Sequence, residues 1–283
     1  MQAKIETVKT LLDALPFIRE FRNEIIVIKY GGSAQTSPQL KEKFAEDILL
    51  MYLVGIKPVI IHGGGKKITD MLDALNIDTK FIDGQRVTTK EVMRIAEMIL
   101  SGEINKEIVS LINSYGAKAI GISGKDAHFI QAKSKDFSKW GLTGNITHVK
   151  PSVVTNLIKE KFIPVIAPIG AGEEMGHPGY NINADLCASY VAKAIGANKI
   201  IFLTDTEGVL DQDKNLLDTL TKSEVEELKA SGVIHGGMVP KVDACLEAID
   251  GGVQKAHIID GRLEHSMLLE LFTSDGVGTQ ILA

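Results

Sequence analysis

Two short β-forming runs end in consecutive glycines and turn straight into helical pattern, and this junction limits the available folds more than any other feature. The first is Ile25-Ile26-Val27-Ile28-Lys29-Tyr30-Gly31-Gly32-Ser33, the second Pro58-Val59-Ile60-Ile61-His62-Gly63-Gly64-Gly65-Lys66. Glycines at a strand end leave backbone N–H groups with no Cβ in the way, and the helix that follows adds the positive end of its dipole. The product is an anion cradle. Here it comes twice, with Lys29 at the lip of the first, and a third run closes at Gly121-Ile122-Ser123-Gly124-Lys125. Any one of these is a tight turn; three together point to the handling of phosphate or carboxylate groups.

Val/Ile-rich runs alternate with helical periodicity along most of the chain, which predicts an α/β fold with a mainly parallel sheet covered on both faces. Strands are expected over residues 25–29, 58–62, 117–122, 162–167, 199–204 and 256–260. Helices are expected over 40–54, 66–75, 90–115 with a break near Gly102, 153–159, 184–195, 223–231 and 238–250. Residues 127–149 alternate and carry Gly141 and Gly144, so they read as hairpins beside the sheet. A length of 283 residues suits one large unit or two tightly joined lobes, with the seam following 184–195. Ile5, Val8, Leu12 and Leu15 form one helical stripe ahead of the first strand, flanked by Leu11 and Ile18, with Pro16 expected to kink or end that helix. That stripe either packs on the chain's own sheet or joins subunits.

Composition narrows the partners. A net charge of −5 argues against nucleic acid or an anionic membrane surface. No apolar run reaches the roughly 18 residues of a membrane span, and residues 1–17 do not read as a leader. Two distant cysteines, Cys187 and Cys245, read as core thiols in a reducing cytoplasm.

Neither glycine cluster follows the dinucleotide fingerprint or the Walker pattern. The seven histidines lack zinc spacing, and no G-x-S-x-G elbow is present. Polar residues stand at informative points instead. Asn181, Asn183 and Asp185 precede or open an apolar helix, where Asn183 is either an N-cap or a ligand and Asp185 either a first-turn acid or a functional one. Thr204-Asp205-Thr206-Glu207-Gly208 closes a strand, where open α/β sheets place ligand loops. Lys241 opens a helix after Gly236-Gly237-Met238-Val239-Pro240, and Arg86 offers a planar fork suited to a carboxylate. Lysines, glycine amides and one well-placed aspartate suit phosphoryl transfer, which needs positioning and charge neutralisation more than covalent help.

Six stretches, 26–33, 61–65, 83–88, 181–185, 203–209 and 236–241, together resemble the acetylglutamate kinases of the amino-acid-kinase superfamily, with the likeness running over about residues 14–283. The resemblance implies a three-layer α/β/α sandwich in two lobes: an interaction helix over 1–22, an acetylglutamate-binding lobe over 23–196 and an ATP-binding lobe over 197–283. It implies that Lys29 and Lys241 neutralise the transferred phosphoryl group while Asp185 holds both lysines. Gly31, Gly32, Gly64 and Gly65 would supply amides around the phosphates and the attacking carboxylate, and Arg86, Asn181 and Asn183 would bind acetylglutamate. Asp205, Thr206, Gly208, Leu210 and His235 would line the nucleotide site, with Mg²⁺ carried on ATP and no protein metal ligand. A carboxylate of reference pKa about 4.3 is already an anion at neutral pH, so no general base is required. The leading helix and the tail 265–279 resemble those of arginine-inhibited members, implying dimers joined into a hexamer and an arginine site at Glu270 and Gly276. The alternative for Glu270 is a solvated helix charge.

Overall fold

The computed structural model describes residues 1–82 and 84–283, so Asp83, the first residue of the 83–88 stretch, lies outside the described residues. Its centre is one eight-stranded sheet built from β1 (Ile25–Tyr30), β2 (Lys57–His62), β3 (Ala119–Ser123), β4 (Ile163–Ala167), β5 (Lys199–Thr204), β6 (Thr219–Thr221), β7 (Lys255–Asp260) and β8 (Thr279–Leu282). In space the order is β6-β8-β7-β5-β1-β2-β4-β3. The first five strands and β7 run parallel, while β8 runs antiparallel to β7 and carries β6 alongside it.

Helices cover both faces. Ahead of the sheet come α1 (Gln2–Asp13) and α2 (Leu15–Phe21), followed in chain order by α3 (Pro38–Leu53), α4 (Gly65–Ala74), α5 (Lys90–Glu97), α6 (Asn105–Ser114), α7 (Pro151–Lys159), α8 (Ala184–Ile195), α9 (Lys222–Ala230), α10 (Val239–Asp250) and α11 (Ser266–Phe272). Alternation along β1 shows how the layers are assigned. Ile26, Ile28 and Tyr30 join a core shared with α3 to α6 and α11. Val27 turns to the opposite core, built on α7 to α10. Lys29 shares the face of Val27, because successive side chains alternate. A slip of one residue would send this apolar set into the opposite core and Lys29 into the first one, so the packing that stabilises β1 also aims the lysine. With each fully buried Ile contributing ~1.5–3 kcal/mol, that register is strongly preferred.

Two points differ from expectation. The helix over 90–115 is not broken near Gly102; it passes through a π-helical turn, Met98–Ile104, that joins α5 to α6. Strands β6 and β8 were absent from the periodicity reading because each is short and pairs at the sheet's far edge. The interruption expected at Pro16 holds: α1 ends at Asp13, and Pro16 sits in the first turn of α2, where its missing N–H costs nothing. The hairpin expectation holds, with Ile130–Ser134 pairing antiparallel to Gly144–Val149. Cys187 and Cys245 are both buried. Among the described residues no helix is long and apolar enough to cross a membrane.

Candidate active site

The glycine turns after β1 and β2 and the loop after β5 gather at the C-terminal ends of those strands, where ligand loops belong in an open α/β sheet. The third run, residues 121–125, closes β3 and lines neither of the two cavities found there; its Lys125 pairs with Glu97. Helix α8 begins there because Asn183 caps it: its Oδ1 accepts the N–H groups of Asp185 at 2.9 Å and Leu186 at 3.1 Å. This cap puts Asp185 in the first turn, on the sheet face from which Lys29 projects. Helix α10 starts on the same face with Pro240 in its first turn, followed by Lys241.

These three elements converge. Lys29 Nζ lies 3.0 Å from Asp185 Oδ1, and Lys241 Nζ lies 3.7 Å from Asp185 Oδ2. Side-chain exposure is 10% for Lys29, 12% for Asp185 and 23% for Lys241, so the cluster is largely withdrawn from solvent, and the two lysines rather than the carboxylate line the neighbouring cavity. Burial pushes the Asp185 carboxyl up, but the charges of Lys29 and Lys241 and their hydrogen bonds outweigh it and hold the group below the ordinary carboxylate value. Two positive charges against one negative leave the site ready for a further anion.

Two cavities lie beside this cluster: Lys29 and Lys241 line one, and Asn183 and Ala184, which precede Asp185, line the other. The larger, about 870 Å³, is walled by Lys29, Gly32, Asp205, Thr206, Gly208, Leu210, His235 and Lys241. Asp211, Gln212, Lys214 and Met238 also line it, and sequence reasoning missed them because nothing local separates them from ordinary loop residues. Gly31 is not among its walls; a Cβ there would collide with the Lys29 ammonium, so Gly31 leaves room for the lysine. Gly32 has φ +66°, and a Cβ there would run into the Asp205 carboxylate, whose Oδ1 accepts the Ser33 N–H at 2.6 Å. At present an acid side chain therefore touches the first cradle.

The smaller cavity, about 190 Å³, is walled by Gly64, Gly65, Arg86, Asn181 and Asn183. Arg86 is anchored: its Nη2 donates to the Gly65 carbonyl at 2.9 Å and to Thr69 Oγ1 at 2.7 Å, and its Nη1 donates to Thr79 Oγ1 at 3.2 Å. Its guanidinium also lies over the Phe81 ring at 4.6 Å. Asn181 Nδ2 donates to Thr88 Oγ1 at 3.2 Å, and Thr143 Oγ1 donates to the Arg86 carbonyl at 2.6 Å. Thr143 was not legible beforehand, because it comes from the flanking hairpin and carries no motif. The Asn183 alternative resolves toward the cap as far as its Oδ1 is concerned, although the residue still lines the cavity.

A third cavity of about 470 Å³ lies at the opposite end of the strands, between α2 and α11, with Glu20, Phe21, Glu270, Asp275 and Gly276 among its walls. Glu270 is not a solvated helix charge. Its side chain is 6% exposed, with Oε1 paired to His257 Nδ1 and Oε2 accepting the Val277 N–H at 2.8 Å. Gly276 has φ +63° and packs directly on that carboxylate. Burial raises the Glu270 carboxyl, yet His257, the Val277 N–H and Lys199 bring it below its ordinary value. His257 escaped notice beforehand; the available signal was a histidine inside an otherwise apolar strand.

Comparison with known proteins agrees with this geometry. The profile of the amino acid kinase family matches residues 24–260. The chain is 82% identical over 281 residues to an acetylglutamate kinase of Sulfurimonas denitrificans, covering 99% of each chain. It is 70% identical to an acetylglutamate kinase of Nitratiruptor, covering all of this chain and 99% of the other. In structure it is similar to an N-acetylglutamate synthase of Neisseria gonorrhoeae at a TM-score of 0.86 and 24% identity, over 98% of this chain and 63% of that one. Carbamate kinase of Giardia lamblia shares the fold at a TM-score of 0.70 and 18% identity, over 92% and 98%. The chain thus belongs to the amino acid kinase family and is a kinase of the acetylglutamate kinase group.

Proposed function

We propose that this kinase transfers the γ-phosphoryl group of ATP to the side-chain carboxylate of N-acetyl-L-glutamate, giving an acyl phosphate for arginine biosynthesis. The observation that carries the reading is the Lys29–Asp185–Lys241 cluster: both lysines line a nucleotide-sized cavity, and Asp185 follows directly on Asn183 and Ala184, which line a small-acid cavity. ATP would occupy the larger space against Asp205, Thr206, Gly208, Leu210 and His235, within a lobe spanning 197–283. Acetylglutamate would occupy the smaller one within 23–196, its groups meeting Asn181, Asn183, Arg86 and the amides of Gly64 and Gly65.

The chemistry requires one anion to approach a highly charged triphosphate. Lys29 and Lys241 reduce that repulsion and stabilise the charge spreading over the phosphoryl oxygens in the transition state. Asp185 holds the two ammonium groups on one side of the reacting line. The amide of Gly32, which lines the larger cavity, would lie at the phosphate end, and no proton needs to be removed from the attacking carboxylate. Mg²⁺ arriving with ATP suits the hard oxygen surroundings near Asp205, and when bound it screens the phosphate charge.

Arginine is the proposed inhibitor, bound in the 470 Å³ cavity with its guanidinium at Glu270 and the Gly276 backbone alongside. Four carboxylates, Glu20, Asp218, Glu270 and Asp275, against the two lysines Lys199 and Lys255 give the walls a net negative charge that favours a cation. The leading helix supports assembly of copies of this chain: Leu11 and Leu12 are 67% and 58% exposed, too open for a helix packed on its own sheet. We infer a homo-oligomer built from dimers, a hexamer through α1, in the cytoplasm.

The test is ATP- and Mg²⁺-dependent phosphorylation of N-acetylglutamate with the acyl phosphate trapped by hydroxylamine, glutamate and aspartate being run beside it. Hydroxamate from acetylglutamate alone is the expected result. Product only from another acid would move the assignment to a sister kinase.

A further inference from the structure

The second glycine cradle is held by residues that touch neither cavity's reacting groups. His62, the last residue of β2, is fully buried. Its Nδ1 lies 3.0 Å from the carbonyl of Gly63, and its Nε2 lies 3.2 Å from Asn105 Nδ2. A carbonyl only accepts, so Nδ1 must carry the proton; a carboxamide nitrogen only donates, so Nε2 must accept. The two contacts demand the same neutral tautomer. The Asn105 orientation is fixed as well. Its Nδ2 also donates to the Val165 carbonyl at 2.9 Å, and its Oδ1 accepts from Lys106 Nζ at 3.0 Å, so a flipped amide would lose both.

This chain of contacts ends on one peptide group. The Gly63 N–H donates to the Tyr30 carbonyl at 2.9 Å, which ties the turn to β1, while its carbonyl is held by His62. In a planar trans peptide the Gly63 C=O and the Gly64 N–H point in opposite directions. Fixing the carbonyl therefore aims the Gly64 amide. The α-carbon of Gly64 is seated too: a Cβ there would lie 2.7 Å from Leu100 Cδ2 and closer still to Ile104 Cδ1. Leu100 and Ile104 belong to the π turn Met98–Ile104, and Asn105 follows it directly. An inserted residue of this kind re-aims side chains within a continuous helix, and such turns recur at functional sites.

We propose that Asn105 and His62, presented by the π turn, are positioning residues that hold the Gly63–Gly64 peptide with its N–H directed into the small-acid cavity. Burial favours the neutral ring that this role needs, lowering the imidazole to about 4. The inference rests on the assignment of Gly64 to the acetylglutamate cleft for its catalytic consequence, but not for its structural one.

Two measurements test it. Long-range ¹⁵N–¹H spectra of the histidine-labelled enzyme without substrate should show His62 as the Nδ1–H tautomer, neutral at pH 7; an Nε2–H ring would overturn the proposal whatever the enzyme phosphorylates. The second uses substitutions that separate positioning from volume. The His62→Asn amide can stand near the old Nδ1 and donate to Gly63, whereas the His62→Gln amide reaches toward Nε2. Kinetics are compared at matched folded fraction from unfolding curves. The expected result is His62→Asn retaining most of kcat while His62→Gln loses ~10²-fold, the scale of a misplaced contact, with KM for ATP unchanged in both. Asn105→Leu should resemble His62→Gln and shift the Gly64 amide resonance. Equal kcat in Asn and Gln variants, or the reverse order, would mean that His62 only fills space.

Discussion

Asp47, buried on α3, accepts a 2.5 Å hydrogen bond from Nδ1 of His265, the residue that opens α11. This contact ties the helix beside the first glycine loop to the helix that carries Glu270. Burial pushes the Asp47 carboxyl up to about 6, against the pull of His265. A carboxyl whose folded value is raised binds its proton more tightly in the native state. Stability from this group is therefore greatest below about 4 and falls as pH rises toward about 6. Denaturant unfolding across pH 4–7 should show this slope, and Asp47→Asn should remove it; an unchanged slope in the variant would place its origin elsewhere.

Asp185 works in the other direction. Its folded value is depressed, so its contribution is present above the ordinary value of 3.8 and disappears as pH falls below it. Asp185→Ala leaves Lys29 and Lys241 facing each other in a largely buried space. Breaking such a pair costs ~3–5 kcal/mol. A fall in the unfolding midpoint at pH 7 that shrinks below pH 4 is the expected signature.

Lys29→Ala should keep nucleotide binding and lose turnover by at least ~10²-fold, the scale of removing one preorganised donor from a transition state. Calorimetry with a non-hydrolysable ATP analogue, together with the hydroxamate assay, reads the two effects separately. Wild-type turnover in this variant would break the proposed mechanism.

Glu270→Ala should abolish arginine inhibition with kcat within about twofold of wild type, because the cavity at Glu270 lies at the far end of the strands from Lys29. An arginine titration of both proteins decides this. Inhibition surviving in the variant would move the effector elsewhere.

Removal of residues 2–13 should lower the assembled mass without changing the far-ultraviolet spectrum beyond the loss of one helix, since α1 leaves Leu11 and Leu12 open. Light scattering coupled to gel filtration is the measurement. An unaltered mass would return α1 to a purely local role.

Much of this was legible along the chain. Continuous Val/Ile runs marked β1, β2, β4, β5 and β7, because strands covered on both faces need apolar residues at every position. Glycines at 31–32 and 63–65 marked the turns after β1 and β2; at Gly31, Gly32 and Gly64 a Cβ would collide with Lys29, with Asp205, and with Leu100 and Ile104 respectively. The edge strand β6 and its neighbour β8 were not legible, being too short to carry a clear period of two. Nor was the π turn, since Gly102 in a helical pattern reads as a break until the tertiary contacts of Leu100 and Ile104 with Gly64 are seen.

The sequence by itself determined the alternation of strands and helices and the glycine turns at the ends of β1 and β2. Those properties depend on short-range periodicity and side-chain chemistry. Tertiary structure alone decided which distant groups meet: Lys29 with Asp185 and Lys241, Arg86 with Gly65 and Thr69, Glu270 with His257, His62 with Asn105. Strand order and the face each residue takes govern those pairings, and both follow from packing two separate cores against one sheet.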